Sequence, residues 1–422
     1  MTEATTQAAG AESANPVQPS RAAFAFIFIT VLLDMIALGI VVPVLPMLIK
    51  EFLNGNTADA AHIVGYFASA WALMQFLFQP IIGSLSDWFG RRPVVILSNL
   101  GLGFDYFLMA LAPNLWFLFA GRLVSGITSA SVSTAGAYIA DVAPAEKRAA
   151  LFGMLGAAFG LGFTIGPALG GWLGEIDLRM PFWGAGALSL INGVYGFFVL
   201  PESLPHSRRS PFSWRGANMV GSWQLLTSTP KLTHLSLGAF LQRFAHGSLP
   251  SMFVLYAVYR YDWSPWAVGT ALAGVGILQT VVSGGLIRPA IKRLGERGTL
   301  LLGLVSGIVG FAIYASAPNS VIFLLAFPPI ALWGLANPAI QSLSTQAVGP
   351  TQQGKLQGAQ ASVGSLADMI GPLLFTQIFA AAVAASGAMH VPGAPYYLAS
   401  LFVFGALIAC IPLMRPVPVA AE

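Results

Sequence analysis

Twelve windows of about twenty residues, nearly free of charged side chains, recur along this 422-residue chain. A helix of that length crosses roughly 30 Å of hydrocarbon, and only helices or closed barrels satisfy their backbone groups there. The windows fall near 22–49, 62–85, 94–112, 115–140, 148–173, 180–200, 232–258, 265–288, 298–316, 320–345, 355–382 and 394–414. Only 9% of the residues are charged and 56% are hydrophobic, too little charge to solvate a soluble protein of this length. The chain reads as an all-α membrane protein with twelve transmembrane helices, its principal partner being the lipid bilayer.

The one long polar connection, 201–231, divides six spans from six. Residues 1–21 read as a disordered cytoplasmic tail, 22–200 as an N-terminal six-helix bundle, 201–231 as a cytoplasmic linker, 232–414 as a C-terminal six-helix bundle, and 415–422 as a cytoplasmic tail. The start of the chain is polar and acidic, without the basic, apolar pattern of a cleaved signal. With the N-terminus inside, only Lys50, Arg179 and Arg260 fall outside, and Arg122 and Arg243 lie within spans. The other basic residues cluster in cytoplasmic segments, as the positive-inside rule requires. The net charge of +4 thus reports topology and gives no support to a nucleic-acid partner. A lone Cys410 rules out a disulfide framework or a multi-cysteine metal site.

The two halves repeat. Gly90, Gly153 and Gly166-Pro167 are followed, each at 205 residues, by Gly295, Gly358 and Gly371-Pro372. Duplicated six-helix halves are characteristic of secondary transporters. No HExxH, GxSxG or adjacent catalytic pair occurs in the spans, so the sequence offers no enzyme reading.

Between the second and third spans, GSLSDWFGRRPV gathers Gly83, Asp87, Gly90, Arg91 and Arg92. The glycines let helix ends approach, and the acid and the arginine forks can form a charged clasp that holds one conformation. Two arginines that merely pin a loop inside are the plainer alternative. Asp141, at the end of the fourth span, is grouped with this gate.

GSLSDWFGRRPV resembles the signature of the major facilitator superfamily. AGRLVSGITSA (120–130) is similar to its fourth-span motif, and GAAFGLGFTIGPALGG (156–171) to the fifth-span motif of its antiporters. LLDMIALGIVVPVLP (32–46), SNLGLGFDYFLMALAP (98–113) and IGPLLFT (370–376) narrow the resemblance to the Tet-type tetracycline/proton antiporters. The resemblance implies a proton-coupled exporter of tetracycline-like or other amphipathic drugs in a bacterial inner membrane, with both termini cytoplasmic. Alternating access would move the cargo, and the unit would be a monomer. It implies no resident cofactor, with protons as the coupling ion and magnesium present only if the cargo is a tetracycline chelate. A different cargo, a lipid, sugar or metabolite, stays open.

Ionisable groups within hydrocarbon cost at least ~2.5–3.5 kcal/mol on insertion scales, so each one asks for a reason. Asp34 in the first span and Asp105 in the third can carry a proton or face a cationic substrate; ties to neighbouring helices are the alternative. The family carries acids in both contexts. Arg122 in the fourth span, beside a row of small residues running from Gly121 to Ala137, matches an arginine that the superfamily uses in coupling. Gln242, Arg243 and His246 in the seventh span, with Gln75 in the second, are candidate substrate contacts, and Arg243 and His246 share a helical face. Asp368 in the eleventh span is either a salt-bridge partner of Arg243 or a second proton or substrate site. Gly160, Gly166 and Pro167 in the fifth span are expected to allow close contact and bending between the halves. Trp71, Phe76, Phe78, Tyr138 and Asn192 are candidate cavity residues. The departure from the family is in the ninth span, where its aspartate aligns with Gly307. Substrate and metal both stay open on that account.

Overall fold

The computed structural model describes residues 21–129, 131–142, 145–210, 225–349 and 352–414. The expected tail through residue 20, linker residues 211–224 and the expected tail 415–422 lie outside them. The first span is Arg21–Val41 with Leu45–Phe52, the second Thr57–Phe89 and the third Arg91–Ala110. Leu115–Thr128 and Ser131–Val142 form the fourth, Ala145–Ile176 the fifth and Met180–Val199 the sixth. The seventh comprises Pro230–His246 and Ser248–Tyr261, and the eighth runs from Pro265–Val281 through a π-helical turn, Val282–Leu286. A helix Ile287–Ser316 contains the ninth span beyond a kink at Gly295. Ser320–Leu324, Phe327–Trp333 and Ala336–Thr345 make the tenth, Gln353–Ala384 the eleventh and Ala394–Met414 the twelfth.

Among the described residues nine helical segments are long and apolar enough to cross a membrane. They become twelve because 265–316 holds two crossings joined at Gly295, and because the fourth and seventh spans are each split into two shorter helices.

The 205-residue repeat is visible in the backbone. Gly90 (φ 108°) and Gly295 (φ 69°) both turn the chain in the left-handed region, where a side chain would be strained. Asn114 and Asn319, again 205 apart, cap the fourth and tenth spans by accepting from Phe117 N and Ile322 N, each at 3.0 Å. These features define two ends of the bundle: a turn end carrying Gly90, Gly295 and the central connection, and a cap end carrying Asn114 and Asn319.

The breaks repeat as well. The first span is interrupted at Val42–Val44 and the seventh at Gly247, the fourth after Thr128 and the tenth at Gly334–Leu335. Around them the helical bonds shorten to the i−3 carbonyl, as from Val44 N to Val41 O (3.2 Å), Gly247 N to Phe244 O (3.0 Å) and Gly334 N to Ala331 O (3.0 Å).

Within the first half the first span packs on the fifth and the third on the sixth; within the second, both the seventh and the ninth pack on the twelfth. Between halves the second span packs on the eleventh and the fifth on the eighth. Lipid is as apolar as a leucine, so close backbone approach drives these contacts more than water exclusion does. The fifth span shows how the sequence arranges it. A Cβ on Gly166 would lie 2.7 Å from Gly39 Cα, and Gly162 and Gly170 press on the first span in the same way. That row, Gly166 included, seals the first half internally, which corrects its expected place at the interface between halves. Gly160 and Gly171 face the eighth span of the other half.

Candidate transport cavity and its gates

The halves meet at the cap end. A Cβ on Gly171 would sit 2.6 Å from Pro265 O and 2.8 Å from Gly269 Cα, so two backbones touch there. Glu175 accepts from Trp266 N at 3.1 Å, capping the eighth span from across the seam. On the other side of the bundle Ser69 Oγ donates to Met369 O at 2.7 Å, and His62 Nδ1 meets Gln377 Oε1. Gly65 lies against Thr376. At the turn end the halves stand apart: among the described residues, a Cβ on Gly83, Gly153, Gly156, Gly358 or Gly364 would find no atom within 4 Å.

Between them, in the turn-end half of the bundle, lies a cavity of about 430 Å³. Gln75 and Gln79 reach it from the second span, Arg243 from the seventh, Asn337 from the tenth, and Gln360 and Asp368 from the eleventh. Arg243 and Asp368 form a two-pronged pair, Nε to Oδ1 at 2.7 Å and Nη2 to Oδ2 at 2.5 Å. Their side chains are 50% and 37% exposed. His246 is exposed but does not line this cavity; its ring lies 6.0 Å from that of Trp333. Gln242 is buried away from the cavity, so its expected substrate contact is not formed here.

The first half holds a smaller cavity of about 20 Å³, lined by Asp34, Trp71, Tyr106, Ser125, Ser129 and Ser189. Asp34 is buried and accepts from Asn192 Nδ2 at 2.8 Å; Asn192 also donates to Thr30 O at 2.9 Å. Asp105 is 1% exposed, and among the described residues neither of its oxygens has a hydrogen-bond partner. It lies against Gly121, within electrostatic reach of Arg122. The Arg122 guanidinium stacks over Trp71 at 4.7 Å, a placement that holds a cation in an apolar setting. Neither Asp34 nor Asp105 lines the large cavity, so their expected direct substrate contact is not made in this state. Asn192 orients Asp34, and Tyr138 is buried and donates to Pro201 O (3.1 Å); both serve as supports, not as cavity walls. Phe76 and Phe78 are absent from both cavity linings.

At the turn end Arg91 is the hub. It meets Asp87 at 2.6 Å, Asp141 at 3.0 Å and Ser86 Oγ at 2.6 Å, while its backbone N–H donates to Glu202 at 2.9 Å. Ser203 also donates to Asp141 (3.2 Å), and Arg209 stands 3.8 Å from Glu202. Arg92 donates to Phe197 O at 2.5 Å. The clasp is thus internal to the first half and its connection. Gly90 is required beside it by its φ of 108°; a Cβ there would also press on the mobile ends of the Glu202 and Arg209 side chains.

Several of these residues escaped the sequence reading. Glu202 was readable in principle, as an acid directly after the sixth span. Glu175, His62 and Trp333 depend on which helices meet. Trp333 covers Gly307: a Cβ there would lie 2.5 Å from the indole Cδ1, so the position has no room for an acid as packed.

Comparisons with known proteins agree with this architecture. The Major Facilitator Superfamily profile matches residues 27–372. The chain is 38% identical over 377 residues to the class C tetracycline resistance protein of Escherichia coli, covering 88% of this chain and 93% of that one. It is 34% identical over 396 residues to the class D protein of Salmonella ordonez, covering 92% and 96%. In fold it resembles a solved D-xylose-proton symporter at a TM-score of 0.71 and 18% identity, over 92% of this chain and 97% of the other. Twelve spans in two repeated halves, a cavity between them closed at one end, and these matches together establish that the chain belongs to the Major Facilitator Superfamily.

Proposed function

We propose that this transporter exports a tetracycline-like amphipathic drug from the cytoplasm of a bacterium in exchange for protons. The observation that carries the reading is the similarity to tetracycline resistance proteins across both halves of the chain. The turn end, with its basic clusters, faces the cytoplasm, and both termini lie there. The cavity then opens inward and the cap-end seam is the closed outer gate.

In this state a drug reaches the large cavity from the cytoplasm and meets the amides of Gln75 and Asn337 and the Arg243–Asp368 pair. Protonation of Asp34 removes the charge that Asn192 now supports, and so changes the free-energy difference between the two facing states. Asp105 and Arg122 act behind it as the coupled pair of the same half. One charge moved inward across 100 mV supplies ~2.3 kcal/mol before any pH gradient is counted. The Arg91 clasp holds the turn between the second and third spans while that end is open. The transporter works as a monomer, with no resident metal.

One observation favours a different amphipathic cargo on the same cycle: Trp333 packs over Gly307, where the Tet-type resemblance expects an acid. Everted membrane vesicles test both. Tetracycline uptake coupled to proton release, abolished in Asp34→Asn, is the expected result; uptake of other amphiphiles with tetracycline ignored would keep the cycle and replace the cargo.

A further inference from the structure

The large cavity has an unusual charge balance for a site that would take a cation. Among the described residues, its lining holds one cation, Arg243, and one anion, Asp368. Both Asp368 oxygens accept from the guanidinium, at 2.7 and 2.5 Å, so the charge of the carboxylate is already balanced. The rest of the polar lining is uncharged: the amides of Gln75, Gln79, Asn337, Gln341 and Gln360, and the hydroxyls of Ser236 and Ser365. Among the described residues, Gln360 Oε1 and Ser236 Oγ are buried within the wall without a hydrogen-bond partner.

A hard divalent cation seeks oxygen ligands, anionic ones above all. To hold a drug carrying such an ion, this cavity would have to draw on an Asp368 charge already balanced by Arg243 and set the ion close to that guanidinium. A neutral, hydrogen-bonding molecule needs neither change. Its donors meet amide and hydroxyl oxygens, and its acceptors meet amide N–H groups.

We infer that this cavity carries its cargo in an uncharged, metal-free form, an amphiphile rich in hydrogen-bonding groups, and that the Arg243–Asp368 pair excludes divalent chelates. The inference rests on the export reading above and specifies the species exported. It has an electrical consequence. Exchange of a neutral cargo for a proton moves one net charge per cycle, whereas exchange of a singly charged chelate for a proton moves none.

The test uses the purified full-length protein in liposomes, with tetracycline as the probe, in EDTA or in magnesium chloride. A potassium diffusion potential is imposed with no pH gradient. The expected result is flux in EDTA that magnesium does not raise, driven by the potential alone toward an accumulation of roughly 50-fold per 100 mV. Flux that needs magnesium and ignores the potential would overturn the inference while leaving drug export intact. No tetracycline flux in either medium, with a class C relative active in parallel liposomes, would remove the export reading and this inference with it. Arg243→Gln supplies a second arm: it frees the Asp368 carboxylate and should create a magnesium stimulation absent from the parent. Flux that stays indifferent to magnesium in a folded Arg243→Gln protein would refute the role assigned to the pair.

Discussion

Replacing Gly171 by alanine should push the transporter toward the state in which the cap end is open. The added Cβ would lie 2.6 Å from Pro265 O and 2.8 Å from Gly269 Cα. Both are backbone atoms of the opposite half, so no side-chain rotation relieves the overlap and the halves must separate. Overpacking of this kind costs about 1–3 kcal/mol. The helix-propensity gain from glycine to alanine applies to both facing states and cancels. At about 1.36 kcal/mol per decade, the ratio of cap-end-open to cap-end-closed molecules rises roughly 5- to 150-fold. The assay is a spin-label distance across the cap end, with labels at Asn54 and at Met389, which is 77% exposed, after the buried Cys410 is replaced by alanine. Gly153→Ala in the same helix is the control, because its Cβ meets no atom of the described residues within 4 Å. A distance distribution that Gly171→Ala leaves unchanged, or that Gly153→Ala shifts equally, would refute the steric account.

Three further substitutions probe other contacts. His62→Ala removes the side-chain bond to Gln377 across the same seam; the net worth of such a bond, ~0.5–1.5 kcal/mol, predicts a smaller shift of the same label pair in the same direction. Asp141→Asn weakens one charge-assisted bond to Arg91 and should cost about 1 kcal/mol in detergent unfolding, whereas Arg91→Ala, which removes the cation that Asp87 and Asp141 share, should cost about 2–3 kcal/mol. Gly307→Asp forces a side chain against the Trp333 indole and should lower stability by about 1–3 kcal/mol; because the two side chains share one space, pairing it with Trp333→Ala should cost less than the sum of the single changes in the same unfolding measurement.

Much of the architecture is legible without coordinates because the membrane enforces it. Apolar windows, the 205-residue offset and the sequestering of charge at one end are consequences of solvent, and any fold of this chain must respect them. The pairing of Arg243 with Asp368 is legible for a related reason: isolated charges in hydrocarbon are expensive, and few partners exist. Contacts between helices are less so. Gly160 and Gly166 stand in the same glycine-rich run, yet one faces the eighth span and the other the first, and a rotation of about 100° per residue cannot say which helix waits on each side. Gln242 and Gln75 are chemically alike, but only Gln75 reaches the cavity. The bond from Glu175 to Trp266 N exists only because the cap end is shut, so it belongs to a conformation as much as to a sequence.

The interrupted helices have a mechanical meaning. Breaks occur in the first, fourth, seventh and tenth spans, the leading helix of each successive group of three. Elsewhere the rods are long, and several, such as Thr57–Phe89 and Gln353–Ala384, run more than thirty residues without a split. A bundle in which stiff and jointed members alternate in this order does not bend uniformly under load. Among the described residues, its compliance then lies chiefly at these breaks inside the membrane, while the long unbroken members carry the displacement to both surfaces. A small local change near one joint is then geared into a larger movement at the rims.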